Sequence, residues 1–337
     1  MNDCVGWGLL GTGGICQALA DALAHVADAR LVAVGSRNAE KAAAFAQRNA
    51  AVHPGVQAHA SYQALACDPA VDVVYIGTPH TDHAGSALVA LQAGKAVLCE
   101  KPFTLNRAQA EAAVSLAREQ GCFLMEAMWT RFMPAVAEVK RLVAAGAIGQ
   151  PLSLRADFGF STAGLGPQHR VLNPALGGGS LLDVGVYPLS LASFLLGSVE
   201  AAWAQALLGP TEVDMHTVFT LRHGSGALSQ AVSSLLTPTP CNAQVLGDNG
   251  LIELHPPFFH AQGFTLTSGD APPQEQRLPH IGNGYAHQVQ EVHRCLRAGL
   301  TESPVMPLEE SLALMGWLDT MRAQIGVRYP GERHAAP

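Results

Sequence analysis

The chain has 337 residues, of which 48% are apolar and only 14% charged, with 27 acidic against 20 basic side chains. That length supports two domains with substantial cores, and the composition is that of an ordinary globular enzyme. No long basic run occurs, which argues against a nucleic-acid partner, and no stretch approaches the ~18 uninterrupted apolar residues of a membrane helix, so neither partner is expected.

Residues 1–126 alternate short apolar runs with helical patterns. Strands are predicted over 5–10, 31–35, 71–76, 96–99 and 122–125. Helices are predicted over 15–24, 40–48, 86–93 and 109–119. Buried runs alternating with helices indicate a parallel sheet covered on both faces. The pattern then changes. Residues 134–144 form an amphipathic helix with Val136, Val139 and Leu142 at helical spacing, and 152–158 read as a strand. A Gly- and Pro-rich loop spans 161–180, followed by an apolar helix over 181–196. Between 203 and 266, turn signals at Arg222-His223-Gly224-Ser225-Gly226 and Gly247-Asp248-Asn249-Gly250 punctuate an antiparallel sheet. Helices over 285–298 and 308–325 close the chain, and 331–337 read as a loose tail. The expected fold is an α/β Rossmann domain, 1–126, and an α+β domain, 127–337, with a predominantly antiparallel sheet. A C-terminal helix is expected to pack back on the first domain.

The first strand runs into Gly11-Thr12-Gly13-Gly14-Ile15-Cys16 and then a helix. Glycine at 11 permits a tight turn, and glycine at 13 lets backbone approach a pyrophosphate. Cys16 takes the third fingerprint place, normally Gly or Ala. The helix start offers unpaired N–H groups and a positive dipole end. A dinucleotide site is expected there, against the alternative of a glycine-rich turn without a ligand. Strand two ends in Gly35-Ser36-Arg37-Asn38. An acidic residue there would bind the ribose hydroxyl of NAD. Ser36 and Arg37 suit a 2′-phosphate instead, so NADP is favoured over NAD. The alternative is that Arg37 is a solvated surface charge.

The strand at 96–99 ends in Glu100-Lys101-Pro102. Ligands of an open α/β sheet bind at the carboxyl ends of its strands, which puts Lys101 on the cofactor side. A cis Lys101–Pro102 peptide is expected. The glycine turn, Glu100-Lys101-Pro102 and the run Gly177-Gly178-Gly179-Ser180-Leu181-Leu182-Asp183-Val184-Gly185-Val186-Tyr187 together resemble the Gfo/Idh/MocA oxidoreductases. The runs from Phe123 to Phe132 (FLMEAMWTRF) and from Glu302 to Ser311 (ESPVMPLEES) resemble the branch of dihydrodiol dehydrogenases and NADP-dependent D-xylose dehydrogenases. The likeness covers about residues 5–328. It implies that Lys101, Asp183 and Tyr187 are catalytic, with Tyr187 as acid/base where many relatives carry histidine. Trp129 and Phe158 would form a hydrophobic substrate wall. His80 and His83, after Thr78-Pro79, would lie on the nicotinamide side.

Physical chemistry agrees with these roles. Oxidising an alcohol by hydride loss requires removal of its hydroxyl proton. Free tyrosine titrates near 10, and an ammonium nearby favours the phenolate. Asp183 precedes Tyr187 by one helical turn, so the two would share a face. Plainer readings stay open. Tyr187, Trp129 and Phe158 could be core residues, and either histidine could serve packing alone. Arg131 could anchor an oxygen-bearing substrate or pair with a structural carboxylate. No metal pattern is evident.

The expected function is an NADP-dependent dehydrogenase acting on a CH–OH of a trans-dihydrodiol or pyranose sugar. Rivals are a keto-sugar or dicarbonyl reductase using the same site, and a non-catalytic NADP-sensing protein. Seven scattered cysteines without a C-x-x-C pair, and no signal peptide in Met1-Asn2-Asp3-Cys4, suggest reduced thiols and a cytoplasmic location. Strands near 218–221 and 227–232 are expected to present an apolar face to a second copy in a homodimer.

Overall fold

A computed structural model describes residues 4–332. The initial Met1-Asn2-Asp3 and most of the expected loose tail lie outside these residues. Two compact units divide the chain. The first comprises the residues up to Phe132 together with His280–Met315, and the second comprises Met133–Pro279 together with the residues from Gly316 onward.

The first unit is a doubly wound domain. Strands β1 (Val5–Leu10), β2 (Ala29–Gly35), β3 (Gln57–His59), β4 (Val73–Ile76), β5 (Ala96–Glu100) and β6 (Leu124–Ala127) form one sheet in the order β3-β2-β1-β4-β5-β6. All five pairings are parallel. Strand β4 is buried along its whole length, as a central parallel strand with helices on both faces must be. The connecting helices are α1 (Gly14–Leu23), α2 (Ala39–Asn49), α3 (Tyr62–Ala66), α4 (His83–Gln92) and α5 (Arg107–Gln120). Local chemistry sets their ends. Asn38 caps α2 by accepting from Lys41 N, Asn106 caps α5 by accepting from Gln109 N, and Gly121 ends α5 in the left-handed conformation. The short strand β3 and helix α3 lack a clear sequence pattern, because half-exposed Gln57-Ala58-His59 carries no apolar run.

Residues 280–315 depart from the expected boundary by joining this first unit. Helix α8 (Ala286–Arg297) packs on α1. Trp7 Nε1–H donates to His293 Nε2 at 3.0 Å, while His293 Nδ1 lies 2.9 Å from Asp28. Asn283 Nδ2–H donates to the carbonyl of Ala18 at 2.7 Å. Burial holds His293 down at about 4, so the ring stays neutral and can accept from Trp7. The last helix, α9 (Leu308–Ile325), is divided between the units.

The second unit is built on eight strands: β7 (Pro151–Gly159), β8 (Val199–Leu208), β9 (Asp214–His223), β10 (Leu228–Ser234), β11 (Ala243–Gly247), β12 (Gly250–Leu254), β13 (Gly263–Ser268) and β14 (Gln274–Arg277). Their order is β14-β13-β12-β11-β7-β10-β9-β8, antiparallel except for the central β7–β10 pair. Helices α6 (Pro134–Ala144) and α7 (Val186–Leu196) cover one face. Along β9 the covered face carries Phe219 and Leu221, whereas Val218 points the other way and is exposed. The segment Pro174–Leu196 is long and apolar enough to cross a membrane, yet 94% of its apolar window is buried inside the protein. Its last part is α7, the core helix of this unit.

Candidate active site

The glycine turn stands at the carboxyl end of β1, where the sheet order reverses between β1 and β4. This is the switch point at which open α/β sheets bind ligands. Gly11 has φ +114°, and a Cβ there would lie 2.7 Å from the carbonyl oxygen of Gly77. A Cβ on Gly13 or Gly14 would meet nothing within 4 Å. Gly13 caps α1 without a side-chain bond, so the helix start keeps its N–H groups for an anion. Cys16 fits the third fingerprint place because its Sγ packs against the carbonyls of Leu10 and Gly77. Burial first, then the Glu100 charge, pushes its thiol up to about 12, so it is a packing group. Thr12 and Ile15 belong to the same turn. A further polar group points the same way: the buried Oγ1 of Thr78, just beyond β4, has no protein hydrogen-bond partner. An open glycine cradle, an uncapped helix start and an orphaned hydroxyl fit a dinucleotide.

At the end of β2 the expectation needs one correction. Arg37 does stand there, 69% exposed, and its guanidinium lies over the Tyr62 ring. It also pairs with Asp82 at 2.9 Å. A carboxylate therefore does reach this corner, from a segment 45 residues away. Ser36 Oγ accepts from Asn38 N–H at 3.1 Å, which ties it into the turn before α2.

The turns after β4 and β5 are braced from within. His83 is fully buried, with Nδ1 2.9 Å from the Pro102 carbonyl and Nε2 2.9 Å from the Thr78 carbonyl. Burial lowers its basicity, so the neutral ring links the two turns. Both nitrogens are committed to backbone, which favours the packing alternative for this histidine. His80, after Pro79, is buried edge-on to His83. Glu100 accepts a 2.5 Å bond from Tyr75 Oη and a 3.1 Å bond from Lys101 N–H. The Lys101–Pro102 peptide is cis, as expected.

Behind that turn lies a buried polar cluster. Glu126 accepts from Phe103 N–H at 3.1 Å and from Ser311 Oγ–H at 2.7 Å. Arg131 is 3% exposed and pairs with Glu310 at 2.5 Å. Arg131 is thus a structural cation in this unit, not an open substrate anchor: its guanidinium is already engaged. Trp129 is buried and stacks on Tyr285, with ring centroids 4.3 Å apart.

In the second unit the glycine run builds a rigid platform. A Cβ on Gly178 would lie 2.8 Å from the Val171 carbonyl oxygen, and one on Gly179 would lie 2.3 Å from Asp214 Oδ1. Asp214 is buried and its Oδ2 accepts from Ser180 Oγ–H, Leu181 N–H and Thr217 Oγ1–H. Residues Leu181–Gly185 form a π-helical turn that leads into α7. Asp183 sits in that wide turn and Tyr187 in the first turn of α7, so the regular α-turn expected between them is replaced. Asp183 is buried and pairs with Arg170 at 2.9 Å. Tyr187 lies in an aromatic cluster: its ring is 5.2 Å from Phe158 and 5.7 Å from Phe259, and Phe158 stacks on Phe259 at 4.0 Å.

With this geometry in hand, the comparisons with known proteins decide the family. Residues 5–128 match the model described as "Oxidoreductase family, NAD-binding Rossmann fold", and 136–253 match the "GFO/IDH/MocA C-terminal domain". A trans-1,2-dihydrobenzene-1,2-diol dehydrogenase from Xenopus laevis is 34% identical over 96% of this chain and 99% of its own. The enzyme of that name from Oryctolagus cuniculus is 36% identical over 90% and 93%. Among solved structures, an aldose-aldose oxidoreductase from Caulobacter crescentus complexed with glycerol superposes with TM-score 0.86, 27% identity and coverage of 95% and 97%. A 3-ketoreductase from Actinomadura kijaniata in complex with NADP and TDP-benzene gives 0.84, 27%, 96% and 98%. The chain belongs to the Gfo/Idh/MocA family. It is an NAD(P)-dependent oxidoreductase.

For this Gfo/Idh/MocA member, each unit gathers its own share of the expected residues. The first holds the glycine turn, Ser36, Arg37, Thr78, Pro79, His80, His83, Glu100, Lys101 and Trp129. The second holds Phe158, Asp183 and Tyr187. Sequence reasoning missed Asp82, Glu126, Arg170, Phe259 and Tyr285. The double aromatic Phe258-Phe259 was a usable signal, but nothing local marked the others.

Proposed function

We propose that this oxidoreductase uses NADP and transfers hydride between the nicotinamide and a CH–OH of a trans-dihydrodiol or pyranose sugar. When bound, the nicotinamide supplies the hydride acceptor for oxidation and the donor for reduction. Tyr187 takes the substrate hydroxyl proton in oxidation and returns it in reduction. Lys101 supplies the positive charge that favours phenolate. Arg37 supports the choice of NADP, because its side chain is exposed at the end of β2 and can exchange Asp82 for a 2′-phosphate. The observation that supports the substrate class is the cluster of Phe158, Tyr187 and Phe259, which sets the Tyr187 ring beside apolar ring faces. Such faces suit an unsaturated ring or the C–H face of a pyranose.

The test is NADP reduction assayed side by side with a trans-cyclohexadiene diol, D-xylose and D-glucose, for wild type and Tyr187→Phe. Turnover with at least one of these and a loss of ~10²–10⁴ in kcat for the variant are expected. NADP should bind both proteins equally. Flat traces with every polyol, or a variant as fast as wild type, would remove this reading. The likeness to an NADP-bound 3-ketoreductase favours a second reading, reduction of a keto sugar by the same groups in reverse.

A homodimer formed through the second unit's sheet is part of the proposal. Trp203, Leu207, Val218 and Leu228 are all exposed on strands β8 to β10, an apolar set that supports burial by a second copy. The free state of all seven cysteines supports a reducing compartment such as the cytoplasm.

A further inference from the structure

One ion pair at the nucleotide end of the first unit joins two segments that the sheet keeps apart. Strand β1 stands between β2 and β4. Arg37 follows β2 and Asp82 follows β4, so the 2.9 Å pair between them spans the carboxyl end of β1. The glycine turn stands at that same end. Leu10, the last residue of β1, pairs with Gly35 on one side and Ile76 on the other, and Gly11 N–H donates to the Gly35 carbonyl at 3.0 Å. Tyr62 completes the corner. The Arg37 guanidinium lies 5.9 Å from its ring centroid, and Arg37, Asp82 and Cys16 all act electrostatically on its phenol. A doubly wound sheet recognises the adenosine ribose of a dinucleotide at the end of strand two, beside the turn that takes the pyrophosphate. The Arg37–Asp82 pair therefore stands where the 2′ substituent of the cofactor is read.

The pair is built to exchange. The Arg37 side chain is 69% exposed and the Asp82 side chain 28%. Water screens such a pair, so its two members hold each other weakly. Asp82 is the N-cap of α4, yet its side chain makes no cap hydrogen bond and reaches Arg37 instead. A carboxylate and a phosphate bind a guanidinium through the same fork of N–H donors. The two anions therefore compete for one partner, and they repel each other when both stand beside it. NAD carries a hydroxyl at this place, so the pair can stay closed. NADP carries a dianion, so Asp82 must yield. Strand two itself ends in Ser36 and Arg37, without an acid. The negative charge that ordinarily rejects a 2′-phosphate from the end of strand two comes here from the other side of β1.

We propose that Asp82 is a specificity-determining residue for the cofactor: it competes with the 2′-phosphate for Arg37 and narrows the preference for NADP over NAD. The inference rests on the reading of Arg37 as the 2′-phosphate partner. The experiment measures dissociation constants by calorimetry for NADP, NAD, 2′,5′-ADP and 5′-AMP, in wild type, Asp82→Asn, Arg37→Gln and the Arg37→Gln/Asp82→Asn double variant. Asparagine keeps the shape of the side chain and serves equally as an N-cap, so the melting temperature should hold. Asp82→Asn should tighten NADP and 2′,5′-ADP about tenfold and leave NAD and 5′-AMP within about twofold of wild type. Arg37→Gln should weaken NADP ~10–100-fold, the scale of a hydrogen-bonded charge. In that background the gain from Asp82→Asn should vanish, because the two residues act as one unit. An unchanged NADP-to-NAD ratio in Asp82→Asn, equal tightening of every nucleotide, or a gain as large without Arg37 would overturn the competition. A loss in Arg37→Gln with no effect of Asp82→Asn sinks the role of Asp82 alone and leaves the NADP reading standing. NADP binding unchanged in Arg37→Gln removes that reading, and the role of Asp82 with it.

Discussion

Two glycine-rich turns, one in each unit, use the same residue for opposite reasons. At Gly13 and Gly14 an added Cβ would meet open space. At Gly178 and Gly179 it would strike protein atoms at 2.8 and 2.3 Å. The first turn keeps room for something that is not protein, while the second keeps room for its own backbone and the Asp214 carboxylate. A run of glycines in sequence does not distinguish the two uses. The neighbour that the missing side chain would touch does.

The sharpest break of this comparison is Gly179→Ala. Its φ of +122° and the contact with Asp214 act together, and a loss of about 4 kcal/mol of stability is expected by urea unfolding. A loss under about 1 kcal/mol would mean the turn relaxes freely.

Each unit also buries a carboxylate behind its functional turn, Asp214 in one and Glu126 in the other, and burial raises both. Glu126 reaches about 7 from the usual 4.5, first through burial and against the opposing pull of Ser311, Arg131 and the Phe103 N–H. The folded state therefore holds this proton more tightly than the unfolded chain. Its stabilising contribution is full below pH 4.5 and is lost as pH rises to about 7. About 3 kcal/mol should disappear over that window, and Glu126→Gln should flatten this part of the stability profile. An unchanged profile in the variant would assign the titration to another group.

The smallest expected effect is at the open turn. Gly13→Ala should shift stability by no more than about 1 kcal/mol, the scale of an N-cap change. It should weaken NADP about tenfold or more, since its Cβ would fill the space through which backbone approaches the pyrophosphate. Stability loss without weaker nucleotide binding would reverse the contrast between the two turns.

Much of the fold was legible from local pattern. The expected helices at 134–144 and about 308–325 coincide with α6 and α9, because apolar spacing and, for the first, a proline at the N-terminus are local signals. The half-exposed β3 carries no such signal. Of the candidate site, the glycine turn and the lysine after β5 stand at element ends that local pattern marks, whereas the Asp183–Tyr187 stretch is marked by the family resemblance. Arg131 could not be resolved, since pairing with Glu310 and contacting a substrate call for the same residue type. His83 was undecided for the same reason, until two backbone carbonyls were seen to take both ring nitrogens.

What the order of residues determined by itself was therefore everything that repeats within a few positions: strands, helices, caps and the places where chain must turn. Tertiary structure alone decided the pairings across long separations. These include Arg37 with Asp82, Arg170 with Asp183, and Glu126 with Ser311. A charge finds its partner through space, by relief of burial, and that relief leaves no periodic trace along the chain.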